Sequence, residues 1–252
     1  MTCATRALLS IGLLALRVAA PTLLTSAPGA PEAAGAPAAP AAPRFDYLVR
    51  EDFFAGMAGD RARLERAMKL CEATLAREPA HAEAMVWYGS GLLVLAGQSF
   101  QGGDPVKGGE LWQRGLRTMA DAVALAPDRV GVRIPRGATL IMAARRLPPG
   151  AQSRELLETG VADYERVLML QTPQWERLPV HARGELLAGL AEGSHGLGRD
   201  DAARAYLTRM VQELAGSAYQ ARARAWLDTG TPPPGGVSCG GCHRSDGRGP
   251  SN

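Results

Sequence analysis

The chain is short of most features that would place it quickly. Aromatics make up only 5% of its 252 residues, and no stretch shows a sustained alternation of β-branched and polar residues, so an all-α body is expected and an all-β one excluded. The four cysteines, Cys3, Cys71, Cys239 and Cys242, are too few and too scattered for a disulfide-stapled scaffold. Neither sign of charge dominates: the formal net charge is +3, whereas phosphate-binding domains are usually far more basic, which speaks against nucleic acid as the main partner. There is no glycine-rich phosphate loop of defined spacing and no nucleophile–base–acid set, so the chain is read as a non-enzyme.

Long hydrophobic runs are also missing. The apolar stretch Ala7–Leu16 follows Arg6 and is interrupted at Arg17. It is too short to cross a bilayer core of about 30 Å as a helix and has the layout of a secretion signal. Residues 1–26 are therefore expected to be a signal peptide, or an N-terminal anchor if Arg17 is tolerated and Ala7–Leu24 spans. Only in that uncleaved form would the chain contact a membrane. Cys3 precedes the apolar core and is not the acylated cysteine of a lipoprotein. Residues 27–44 are almost wholly alanine, glycine and proline, with Pro28, Pro31, Pro37, Pro40 and Pro43, and form a semi-extended linker.

What is present, from 45 to 229, is helical patterning. Asp60 caps a helix through Glu78 that puts Leu64, Met68, Cys71 and Leu75 on one stripe. A second helix is predicted over Ala80–Ala96, followed by a glycine-rich loop from Gly97 to Gly109 with a restart at Asp104-Pro105. The next helix ends before Pro127. Pro135 is placed in the first turn of a helix reaching Arg146. Further helices are predicted at about 152–171, 180–196, 200–214 and 217–228.

These segments pair, and the pairs resemble tetratricopeptide (TPR) repeats. Glu83–Gly91, with Trp87, Tyr88 and Gly89, is similar to a first repeat helix; Ala122–Pro127, with its small residues and closing proline, is similar to the end of a second. Ala67–Pro79, Tyr164–Leu168 before Pro173, and Leu187–Leu214 through Gly198 resemble further repeats. The resemblance implies a TPR-like α–α superhelix whose surface binds a protein partner. The closing prolines Pro79, Pro127 and Pro173 stand further apart than the usual period of about 34 residues, and the loop Gln98–Gly109 is expected to absorb part of the excess.

After a second proline spacer, Thr231–Gly236, comes the most specific chemistry in the chain: Cys239-Gly240-Gly241-Cys242-His243. Two thiols three positions apart with a histidine directly after them is the spacing of c-type haem attachment. Cys239 and Cys242 would be the thioether residues and His243 the iron ligand. Residues 230–252 are read as a flexible tail carrying this motif, with Asp246–Asn252 disordered. Only nine residues follow His243, so cover for a haem is expected from the helical body or a partner. The layout resembles exported bacterial TPR-like proteins ending in Cys-x-x-Cys-His, which implies a periplasmic or cell-envelope setting. A disulfide, or a zinc site needing a fourth ligand, remain open alternatives.

A second axial ligand is not singled out. His81, His181, His195, Met57, Met85, Met142 and Met210 are candidates, each with an ordinary surface or core reading beside it. Cys71 is expected in the core. His181 and Glu185 lack the second histidine of a zinc-protease motif. Trp87 and Trp112 are read as packing residues. Arg129, Arg133, Arg136, Arg145 and Arg146 form a basic cluster, expected to be a solvated face, with an acidic partner's docking patch as the alternative.

Overall fold

Four consecutive helical hairpins and a closing helix make up the described part of the chain. The structure is a computed structural model and describes residues 44–236, which fall in one compact unit. The expected signal or anchor, nearly all of the expected linker, Cys3 and the motif Cys239, Cys242 and His243 lie outside the described residues. Among the described residues there are nine α-helices, one 3₁₀ segment and no strand, so the body is all-α. No helix in this region is long and apolar enough to cross a membrane.

The hairpins follow local signals in the sequence. α1 (Phe45–Met57) turns at Gly59 into α2 (Arg61–Arg77). The Asp60 side chain accepts a hydrogen bond from the Arg63 N–H, which satisfies one of the donors a helix start leaves open. α3 (Ala82–Gln101) is capped by the His81 ring, and α4 (Pro105–Leu125) by Asp104, with Pro105 in the first turn where its missing N–H costs nothing. α5 (Val130–Ala144) pairs with α6 (Ala151–Gln171), and a 3₁₀ segment (Thr172–Arg177) leads on to α7 (Val180–Gly196). Gly198 then adopts φ +72° and turns the chain into α8 (Asp200–Glu213). α9 (Ala218–Thr229) starts at a Ser217 cap and ends at Gly230 in the left-handed region.

Each helix packs most against its hairpin partner, and successive first helices touch: α1 on α3, α3 on α5, α5 on α7. A single core results, running from Phe45 through Leu93, Tyr164 and Leu187 to Trp226. Between α3 and α5 a buried polar link adds specificity, with Thr139 Oγ1 donating to Ser90 Oγ at 2.9 Å and Ser90 Oγ donating to the Val86 carbonyl at 2.9 Å. Two hairpins close on paired glycines. A Cβ on Gly115 would meet Leu93 and the Gly89 carbonyl, and one on Gly160 would meet Ile141 and the Gly137 carbonyl, so backbone lies against backbone at both crossings.

Three expectations need correction. The second helix does not stop at Ala96 but runs to Gln101, and the expected loop Gly97–Gly109 shrinks to Gly102–Asp104. One glycine that reads as punctuation is a packing residue: a Cβ on Gly108 would strike the Phe100 ring, which lies over it. The excess over a standard repeat length at this hairpin therefore lies in long helices, not in a loop. Pro135 sits inside α5, since that helix begins at Val130. The proline leaves the Gly131 carbonyl without its usual helical donor.

Candidate functional site

The chain reaches its terminal motif from one end of the body. α9 lies on α8, and Gly230 ends it beside the last turn of α7. Of the residues that follow, Thr231, Pro232, Pro234 and Gly235 are exposed. The Gly236 N–H donates to the Pro233 carbonyl at 2.8 Å, and Gly236 is buried. A Cβ there would collide with Glu192 Oε1 and stand 3.4 Å from Arg145 Nη1, so only glycine fits, and its φ of +79° has the same requirement. Glu192 is 3% exposed and holds Arg145 at 2.8 Å. Gly236 thus lies between Glu192 of α7 and Arg145 at the end of α5. Cys239 follows three residues later.

A cleft of about 160 Å³ opens where α9 ends, lined by His195, Arg204, Leu207, Trp226, Leu227 and Gly230. His195 is its polar centre. Its Nδ1 lies 2.7 Å from Asp200 Oδ1, and its ring packs edge-on to Trp226 with centroids 5.3 Å apart. An ionised carboxylate only accepts hydrogen bonds, so Nδ1 carries the hydrogen and Nε2 of the neutral ring keeps a lone pair. The side chain is 41% exposed, and Nε2 has no hydrogen-bond partner among the described residues.

The other two histidines among the described residues are engaged elsewhere. His81 Nδ1 accepts from the Ala84 N–H at 3.0 Å as the α3 cap, and its ring packs on Phe45. His181 Nδ1 lies 3.0 Å from the Tyr219 hydroxyl. Met210 is fully buried, and Met85 packs on the core. Met57 and Met142 are half-buried. No protein-family model, curated protein or solved structure matches the chain. Functional argument therefore rests on the residues themselves.

The basic cluster divides: Arg133 and Arg136 are largely buried, whereas Arg129, Arg145 and Arg146 stay exposed. Arg133 and Arg136 clamp Asp163, which is fully buried, with contacts of 2.6, 2.6 and 2.7 Å. Arg129 reaches Glu83 at 3.3 Å, and Arg145 is held by Glu192. That leaves Arg146 as the cluster's member without an ion pair among the described residues. The expected solvated face holds for Arg129, Arg145 and Arg146, while Arg133 and Arg136 are turned inward to Asp163 on α6. Composition showed the arginines but not their partners.

Cys71 is buried as expected, and burial pushes its thiol up to about 12. Trp87 stacks on Phe53 at 5.1 Å, which bears out its packing role, although its indole N–H and that of Trp112 are buried with no acceptor. No group of three metal-ligating side chains occurs among the described residues. The motif residues Cys239, Cys242 and His243 lie outside the described residues. His195 is part-exposed with its Nδ1 held by Asp200, but Leu207 and Trp226 beside it are buried, at 2% and 4% exposure, and offer little apolar surface.

Proposed function

We propose that this chain is an exported TPR-like scaffold that binds a protein partner and carries one covalent c-type haem, serving electron transfer or the assembly of a redox complex. The observation that carries the reading is the run Cys239-Gly240-Gly241-Cys242-His243, three residues beyond a glycine seated on the helical body. Cys239 and Cys242 would each add across one haem vinyl group, sulfur to one carbon and the thiol hydrogen to the other. His243 would be the first axial ligand. The bound group would supply one-electron chemistry. The four hairpins, with first helix against first helix and prolines after α2, α4 and α6, support the TPR-like part of the reading. The segment Ala7–Leu16 supports export to the periplasm or cell envelope, where covalent haem attachment takes place.

The test is direct. The full chain is expressed with a periplasmic haem-attachment system, denatured, and stained for haem, and its mass is measured. A stain that survives denaturation, with one haem added to the mass, is expected. A colourless protein of unmodified mass overturns the redox assignment. In that case thiol counting and elemental analysis tell a disulfide from a zinc site at the same residues.

A further inference from the structure

Resting on the partner-binding part of the reading above and not on its haem part, we infer that the end of α5 is the docking point for an acidic segment of that partner, and that docking there unlatches the proline spacer Thr231–Gly236 from the body. The docking point is Arg145 with Arg146, the two residues that follow the last turn of α5. Their guanidiniums serve different neighbours. Arg145 Nη2 binds Glu192 Oε2 of α7 at 2.8 Å and its side chain stays 41% exposed, while Arg146 Nη1 would stand 3.9 Å from a Cβ on Gly97 of α3. Arg146 is exposed and makes no ion pair among the described residues. No aspartate or glutamate occurs from residue 129 to residue 154, so α5 borrows its counterions from other helices. Glu83 is engaged by Arg129, Asp163 by Arg133 and Arg136, and Glu192 by Arg145. The surplus positive charge is therefore Arg146, beside an Arg145 that is half open to solvent. Two adjacent guanidiniums of this kind suit a carboxylate-bearing segment.

Arg145 also holds the latch. Gly236 lies between its guanidinium and the Glu192 carboxylate, which is 3% exposed. The hold on the spacer is slight. Thr231, Pro232, Pro234 and Gly235 are exposed and Pro233 is half-buried. The Gly236 N–H goes to the Pro233 carbonyl, inside the spacer rather than to the body. A segment with so few buried contacts opens at low cost. The carboxylate beneath it adds to the poise, because a charge kept from water is tolerated only while its counterion stays. An acidic segment that pairs with Arg145 and Arg146 together draws Arg145 away from Glu192. Glu192 then needs water, and water reaches it when Gly236 lifts. An event at the end of α5 is thereby converted into release of the spacer.

The experiment uses the full chain, with hydrogen exchange read at the spacer. Pro232, Pro233 and Pro234 have no N–H, so a fragment over 231–236 reports the amides of Thr231, Gly235 and Gly236. The probe is a hexaglutamate peptide in millimolar excess at low salt, with hexalysine at matched ionic strength as the control. In the wild type, hexaglutamate is expected to speed exchange at the spacer several-fold while the amides of α5 and α7 keep their protection, and hexalysine should change nothing. Arg146→Ala should keep the slow basal exchange and lose most of the response. Arg145→Ala should exchange fast without peptide, with circular dichroism to confirm its fold. Gly236→Val should do the same and also open Glu192 to carbodiimide labelling, which leaves it unmodified in the wild type. A wild-type spacer that ignores hexaglutamate, a full response in Arg146→Ala, or wild-type exchange in Arg145→Ala overturns this inference and leaves the proposed function standing. The haem stain is read separately, since a colourless chain overturns the redox assignment without touching this result.

Discussion

Among single residues, Asp163 is the most exacting. It is wholly buried, and its charge is matched by Arg133 and Arg136, themselves only 15% and 14% exposed. Removing one partner of a buried set strands the rest, at a cost of about 3–5 kcal/mol. Asp163→Ala is therefore expected to lower the melting temperature by roughly 10 °C. Glu65→Ala, which breaks the exposed Arg61–Glu65 pair, should change it by less than about 2 °C; calorimetry on both variants checks the contrast. Glu213 predicts a pH effect. Burial raises its pKa, but hydrogen bonds from Arg209 and Trp175 outweigh burial and hold the carboxyl below its ordinary 4.5. A folded value below the unfolded one means stability that is present above the unfolded pKa and lost as pH falls through the folded one. Denaturant titrations between about pH 5 and pH 3 should show a shallower loss of stability in Glu213→Gln than in the wild type. Cys71, with its thiol pushed up to about 12, should escape thiol reagents at pH 8 until denaturant is added, when the count of reactive thiols rises by one.

Helices tell a different story, because glycine carries two meanings in this chain. Gly109 in α4 has nothing within 4 Å of a would-be Cβ, whereas Gly115 in the same helix faces the Gly89 carbonyl and Leu93. Propensity alone favours alanine at both by about 1 kcal/mol. Gly109→Ala should gain that amount, while Gly115→Ala should lose about 1–3 kcal/mol through overpacking, a difference of sign that chemical denaturation would resolve. The same ambiguity explains what sequence reading caught and missed. Helices bounded by Asp60, Asp104, Pro127 and Gly198 were legible because a cap or a break is a local event. The run from Gly97 to Gly109 was misread because Gly108 owes its identity to the Phe100 ring above it, a contact no window of sequence displays. Pro135 misled for a related reason: proline usually marks a first turn, yet here tertiary packing carries α5 through it.

At the scale of the molecule, the hairpins make a body in which each unit leans on its neighbours, and the last one also receives the outgoing chain. His195 was visible from the start as one histidine among several. Its distinction depends on Asp200 across a turn and on Trp226 one hairpin later, so only the folded arrangement separates it from His81 and His181. The seat of Gly236 yields a prediction at this scale. Gly236→Val must move away from Glu192 and leave the positive-φ region, so limited proteolysis within residues 231–236 should speed up several-fold while the melting temperature of the body stays within about 1 °C. The same seat has a consequence for chemistry at the motif. Whatever Cys239 and Cys242 carry, a tether of three positions from Gly236 would make its encounter with the helical body an intramolecular event, with a local concentration in the millimolar range.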